Sequence, residues 1–148
     1  MTERVDFYVL KTSTAKQRWT FACRLTEKAY LRDLQVVLVS ETAADAASLD
    51  ELLWTFNERS FVPHDMLASE DAAAPVRLTC DLSTIEAADL LVNLSGQLPD
   101  RLERFSRIAE IIDTDDERRR LGRERFKAYR ELKLPVETHQ LDDAGTGA

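Results

Sequence analysis

The sequence predicts an α/β protein built on a largely parallel sheet. Three observations carry that prediction. Short apolar runs alternate along the chain with longer segments of helical periodicity. Residues 34–39 (LQVVLV) are apolar almost throughout, as a strand buried on both faces must be. No repeat or linker interrupts the 148 residues, a length that suits one domain, and the 44% hydrophobic content is enough to form one core.

The elements follow in order. Residues 5–10 (VDFYVL) form a β-rich first strand. Thr14 followed by Gln17 makes a capping box, and a long helix runs from there to about residue 31. Its apolar stripe includes Trp19, Ala22, Cys23 and Tyr30. Residues 34–39 are the second strand. Thr42 and Asp45 open a second helix carrying Leu49, Leu52, Leu53 and Phe56. The segment SFVPHDML breaks the period. Pro63 removes a backbone donor and biases Val62 toward extended geometry, which predicts a loop. Residues 70–75 are polar and alanine-rich, a hairpin or connector. Residues 76–80, 90–94 and 108–112 are read as the third, fourth and fifth strands. Thr114 and Glu117 frame a further capping box (TDDE) before a last long helix over about 115–132, and residues 136–141 suit a final strand. The domain spans 1–141, and the small, polar end DDAGTGA (142–148) is expected to be disordered.

Composition narrows the function. The net charge of -7 repels phosphate backbones unless basic residues are gathered in one place. Cys23 and Cys80 form no CxxC pair, which fits two small core residues in a reducing cytosol. The N-terminus carries no signal region and no stretch reaches membrane-spanning length, so a soluble cytoplasmic protein with no membrane partner is expected. An α/β sheet of this kind often binds nucleotides after its first strand, but the loop Lys11-Thr12-Ser13-Thr14 lacks the glycines that let backbone amides approach a phosphate. His64 and His139 sit in no recognisable nucleophile setting. Asp113, Asp115, Asp116 and Glu117 are capable of binding a hard cation, although the N-terminus of a helix is the simpler reading. No catalytic residue, metal or cofactor is expected.

The informative segment is ERRRLGRERFKAYRELK, residues 117–133, where an acidic protein has gathered positive charge. On a wheel of about 100° per residue, Arg119, Arg123, Lys127, Arg130 and Lys133 share one arc. Phe126 lies inside that arc and Tyr129 flanks it. Leu121, Ala128 and Leu132 fall on the opposite side and are expected to face the core. A solvated charged face is the plain interpretation. Yet this arc does not mix signs, and an apolar ring among cations is costly to expose without a use. Both features suit an anionic ligand with one apolar anchor, and an acidic peptide ending in a hydrophobic residue fits best.

With these residues identified, the sequence resembles the chi subunit family of bacterial DNA polymerase III. The resemblance is carried by FYVL near the start, Leu49-Asp50-Glu51-Leu52-Leu53-Trp54, SFVPH at 60–64, Ala74-Pro75-Val76 and RERFKAYR at 123–130. It implies a three-layer α/β/α fold, Rossmann-like in layering but without a phosphate-binding loop, and no enzymatic activity. It also implies two protein-binding surfaces. One takes the acidic, phenylalanine-ended C-terminal tail of single-stranded-DNA-binding protein. The matching residues are Arg119, Arg123, Phe126 and Lys127, with Ile112 on the preceding strand and Arg130 at the margin. The other takes the psi subunit of the clamp loader, or a helicase competing for the same place, through Trp54 and Phe61 with Val62, Pro63 and His64. Spacing alone favours core positions for Trp54 and Phe61, and the resemblance reverses that preference. The family commonly shows tyrosine where this chain has Phe126, the connector after His64 differs, and residues 80–107 match weakly. The expected role is an adaptor that contacts nucleic acid only indirectly. The alternative is a direct nucleic-acid binder using the basic helix, which its net charge and scarce stacking aromatics disfavour.

Overall fold

A computed structural model describes residues 2–12, 14–56, 62–66 and 74–141. Within them the chain folds as β1 (Arg4–Val9), α1 (Ala15–Tyr30), β2 (Val36–Ser40), α2 (Ala43–Thr55), β3 (His64–Met66), β4 (Val76–Thr79), β5 (Ala88–Leu94), β6 (Phe105–Ile112), α3 (Asp116–Glu131) and β7 (Val136–Gln140). The seven strands found among the described residues form one sheet in the order β3-β4-β2-β5-β6-β1-β7, and every pairing is parallel. Helices α1 and α2 bury Phe21, Ala22, Cys23, Leu49 and Leu53 against one face. Helix α3 lays Tyr129 and Phe126 on the other, beside Ile108 and Ile112. This is the three-layer α/β/α arrangement the sequence and the resemblance led us to expect.

The first two helices start where the sequence placed them. Thr14 accepts from the Gln17 amide at 3.2 Å, and Thr42 accepts from the Asp45 amide at 3.0 Å. The third does not. Its cap is Asp115, which accepts from the Arg118 amide at 2.9 Å. Thr114 is occupied elsewhere, because its amide (2.9 Å) and hydroxyl (3.1 Å) both donate to the Thr12 carbonyl, tying the start of α3 to the loop after β1.

Other expectations are corrected. Residues 64–66, read as loop, form an edge strand in which His64 pairs with Val76. Pro63 stands just before the strand, where its missing donor costs no ladder bond. Cys23 is buried, which pushes its thiol up to about 12, but Cys80 follows the end of β4 and is exposed. Trp54 does not continue the buried stripe of α2 and is 50% exposed. Phe61 and the tail 142–148 lie outside the described residues.

A candidate peptide-binding groove on the third helix

Side chains alternate across a strand, so β1 sends Phe7 and Val9 toward α3 and Asp6 and Tyr8 toward α1. Register places Val9 between Ile112 of β6 and Gln140 of β7, and Phe7 beside Thr138. These residues floor a groove of about 300 Å³ that α3 completes with Arg119, Gly122, Arg123 and Phe126. Gly122 sets how closely the helix approaches. A Cβ there would lie 2.7 Å from Ile112 Cδ1. The Phe126 ring meets Phe7 edge-on at 5.2 Å, and the Arg130 guanidinium lies 5.8 Å from its centroid.

The buried face of α3 differs from the one the wheel predicted. Gly122, Arg125 and Tyr129 are buried, while Leu132 is 56% exposed and Leu121 and Ala128 are only partly covered. The cause is a polar network around Glu110, which is fully buried on β6. Its carboxylate accepts from Arg125 Nε at 3.1 Å, Tyr129 Oη at 2.7 Å and Asn93 Nδ2 at 2.8 Å. Arg125 also donates to the Gly96 carbonyl at 3.0 Å. Burial, then the neighbouring Glu110 charge, raises the Tyr129 phenol well above its usual range. A charged residue thus occupies the inward face because a buried carboxylate awaits it. Lys133 does not belong to the helical arc either. It follows the C-cap with a left-handed φ of 63°.

The cations of α3 divide by partner. Arg118 grips Asp113 through two bonds of 2.8 and 2.7 Å. Burial opposes the Asp113 charge, but Arg118, the Asp115 amide and the nearby Arg18 outweigh it and hold the carboxyl below its usual value. Arg120 is held by Glu117 and Glu124, three residues before and four after it on the same helix. Arg125 belongs to Glu110. Arg119, Arg123, Lys127 and Arg130 form no ion pair among the described residues. Arg119 is oriented by an Nε bond of 2.9 Å to the Asp113 carbonyl. The groove therefore has an apolar floor and an edge of uncommitted cations. Of the residues expected at this site, Ile112, Arg119, Arg123 and Phe126 line it. Lys127 is exposed on α3 and Arg130 stacks on Phe126, both outside the lining. Phe7, Val9, Gly122, Thr138 and Gln140 were missed.

The chain matches the family described as DNA polymerase III chi subunit, HolC, over residues 1–137. It is 40% identical over 138 residues to the DNA polymerase III subunit chi of Pseudomonas aeruginosa, covering 93% of this chain and 96% of the relative. The chain belongs to the DNA polymerase III chi subunit family. Proteins of the same name from Haemophilus influenzae and Escherichia coli are each 29% identical, over 88% and 86% of this chain and 92% and 91% of theirs. The family resemblance read from SFVPH and RERFKAYR is thereby established. No helix among the described residues is long and apolar enough to cross a membrane.

The second expected surface is only partly described. The exposed Trp54 ring packs on His64 at 4.5 Å. His64 is buried and is fixed by the Val62 carbonyl at 2.6 Å and the Asp50 carbonyl at 2.9 Å. Val62 is 1% exposed and belongs to the core, and Pro63 is partly covered. Among the described residues of this group Trp54 is the exposed one, and His64 packs against its ring.

Proposed function

We propose that this chi-family chain is a non-catalytic accessory subunit of the bacterial replicative polymerase, working in the cytoplasm. It links the clamp-loader complex to the acidic C-terminal tail of single-stranded-DNA-binding protein. The observation that carries this reading is the groove beneath α3, where an apolar floor of Phe7, Val9, Ile112 and Phe126 lies beside Arg119 and Arg123. A terminal aromatic ring fits the floor, and its α-carboxylate and preceding aspartates suit the cations. Lys127 and Arg130 extend the positive edge toward the acidic residues upstream. Trp54, with the Phe61 segment, is assigned to the psi subunit or a competing helicase, since a half-exposed tryptophan on a rigid support has the character of an interface anchor.

Calorimetry with a synthetic acidic peptide ending in phenylalanine tests the tail assignment. Charge-assisted hydrogen bonds are each worth about 1.5–3 kcal/mol, so Arg123→Ala should weaken binding about ten-fold or more. The distant Arg77→Ala should change little. Equal binding of a peptide lacking its terminal phenylalanine would remove the reading. Tighter binding of an oligonucleotide than of the peptide would favour direct nucleic-acid binding instead.

A further inference from the structure

A second cleft, of about 220 Å³, opens on the opposite face of the sheet, between α1 and the strands β1, β5 and β6. Strand β1 separates it from the α3 groove, presenting Tyr8 and Asp6 here and Phe7 and Val9 there. Its apolar wall comes from Phe21, Leu25, Leu34 and Leu90, and its rim from Arg24, Lys28, Arg32 and Arg107. The one carboxylate in the lining, Asp6, is already committed. It meets His139 at 2.9 Å, Arg4 at 3.2 Å and Arg107 at 3.4 Å. Arg24, Lys28 and Arg32 form no ion pair among the described residues. A protein of net charge -7 thus holds three uncommitted cations along one edge of an apolar hollow.

The spacing indicates what would lie there. Arg24 and Lys28 lie one step apart on α1, about 6 Å for four residues at 1.5 Å, and Arg32 follows in the turn that ends the helix. Alternate side chains of an extended peptide recur at about 6.6–6.8 Å, so carboxylates at alternate positions can meet successive cations. The intervening side chain then points into the hollow. Single-stranded nucleic acid has a comparable phosphate repeat but needs exposed rings for stacking. Neither aromatic residue of the cleft supplies one. Tyr8 stacks on His139 at 4.9 Å and tilts against Phe21 at 5.4 Å, and Phe21 is 5% exposed.

We propose that this cleft is a second peptide-binding site, taking an extended acidic segment of a partner protein with one aliphatic side chain in the hollow and its carboxylates on Arg24, Lys28 and Arg32. The probe is a capped peptide, acetyl-Glu-Ser-Glu-Leu-Glu-Ser-Glu-amide, which has neither the free carboxylate nor the aromatic end suited to the α3 groove. Binding is read by amide chemical shifts and calorimetry on the full chain. Saturable binding is expected, with shifts at Leu25, Leu34 and Leu90. Lys28→Glu with Arg32→Glu should weaken it at least ten-fold, whereas Arg123→Glu should leave it unchanged. Both altered side chains, Lys28 on α1 and Arg32 in the turn after it, are exposed, so the fold should survive, and an unchanged affinity for the phenylalanine-ended peptide checks this. The proposal is overturned by absence of saturable binding, by equal binding of a peptide with serine in place of leucine, by loss of binding in Arg123→Glu, or by tighter binding of oligothymidylate.

Discussion

Gly122 and Asp113 show how single residues shape the α3 groove. Gly122→Ala brings two opposed effects. Alanine favours the helix by about 1 kcal/mol over glycine, while its methyl collides with the δ-methyl of Ile112. That methyl ends a flexible side chain and can shift, and because Ile112 lines the groove, its floor changes shape with it. Near-unchanged melting with a several-fold loss of affinity for the phenylalanine-ended peptide is expected. Asp113 acts through charge. Its folded value is lowered, so its ion pair stabilises the fold fully at neutral pH and is lost as pH falls through that value. The gap in urea midpoint between wild type and Asp113→Asn should hold from neutrality to mildly acid pH. It should then close below about pH 4, the ordinary aspartate range. A gap that widened in acid would show that the charge is not the stabilising form.

At the scale of elements, α3 separates what the sequence disclosed from what it hid. Its basic arc was legible because charge and spacing suffice to place Arg119, Arg123 and Phe126 together. The inward face was not, since hydropathy assigns arginine to water and leucine to the core. The missing cue was Glu110 inside the apolar run IAEII. A carboxylate in a strand buried on both faces requires a cation from a covering element. The missed residues of β1 and β7 have another cause. Val9, Thr138 and Gln140 reach the groove through strand order, and a strand's neighbours are not written in its own sequence. The caps at Thr14 and Thr42 were legible because they are local, whereas Thr114 was drawn away by a contact to Thr12 across 102 residues. The Glu110 network yields a stability prediction. Removing one partner of a buried ion pair costs about 3–5 kcal/mol, and a hydrogen bond to a charged group contributes about 1.5–3 kcal/mol. Urea unfolding should therefore rank Arg125→Ala as more damaging than Tyr129→Phe, with both far above the exposed Arg123→Ala. Equal stability of Arg125→Ala and wild type would mean that Glu110 is held by other groups.

The whole molecule presents the docking surfaces proposed for the acidic tail and for the psi subunit on different layers. Trp54 sits on α2, packed on the same face as α1, and the tail groove lies under α3 on the other face. An adaptor must hold both partners at once, and this separation allows it without steric conflict. Sites that share no side chain and lie in different cores should act independently, so their energies should add. Trp54→Ala removes a half-exposed ring, so the domain should remain folded while affinity for a psi-type partner falls. Its affinity for the phenylalanine-ended peptide should match wild type. Arg123→Ala should do the reverse, and the double variant should lose both by the sum of the single effects. Calorimetric titration of the peptide into the free chain and into its complex with the partner gives the decisive comparison. Equal affinities within two-fold are expected, and both should fall as salt rises, because the groove's cations are exposed to screening. A ten-fold difference between free and complexed chain would correspond to about 1.4 kcal/mol of coupling. It would show that the sheet transmits occupancy from one layer to the other rather than merely holding the two surfaces apart.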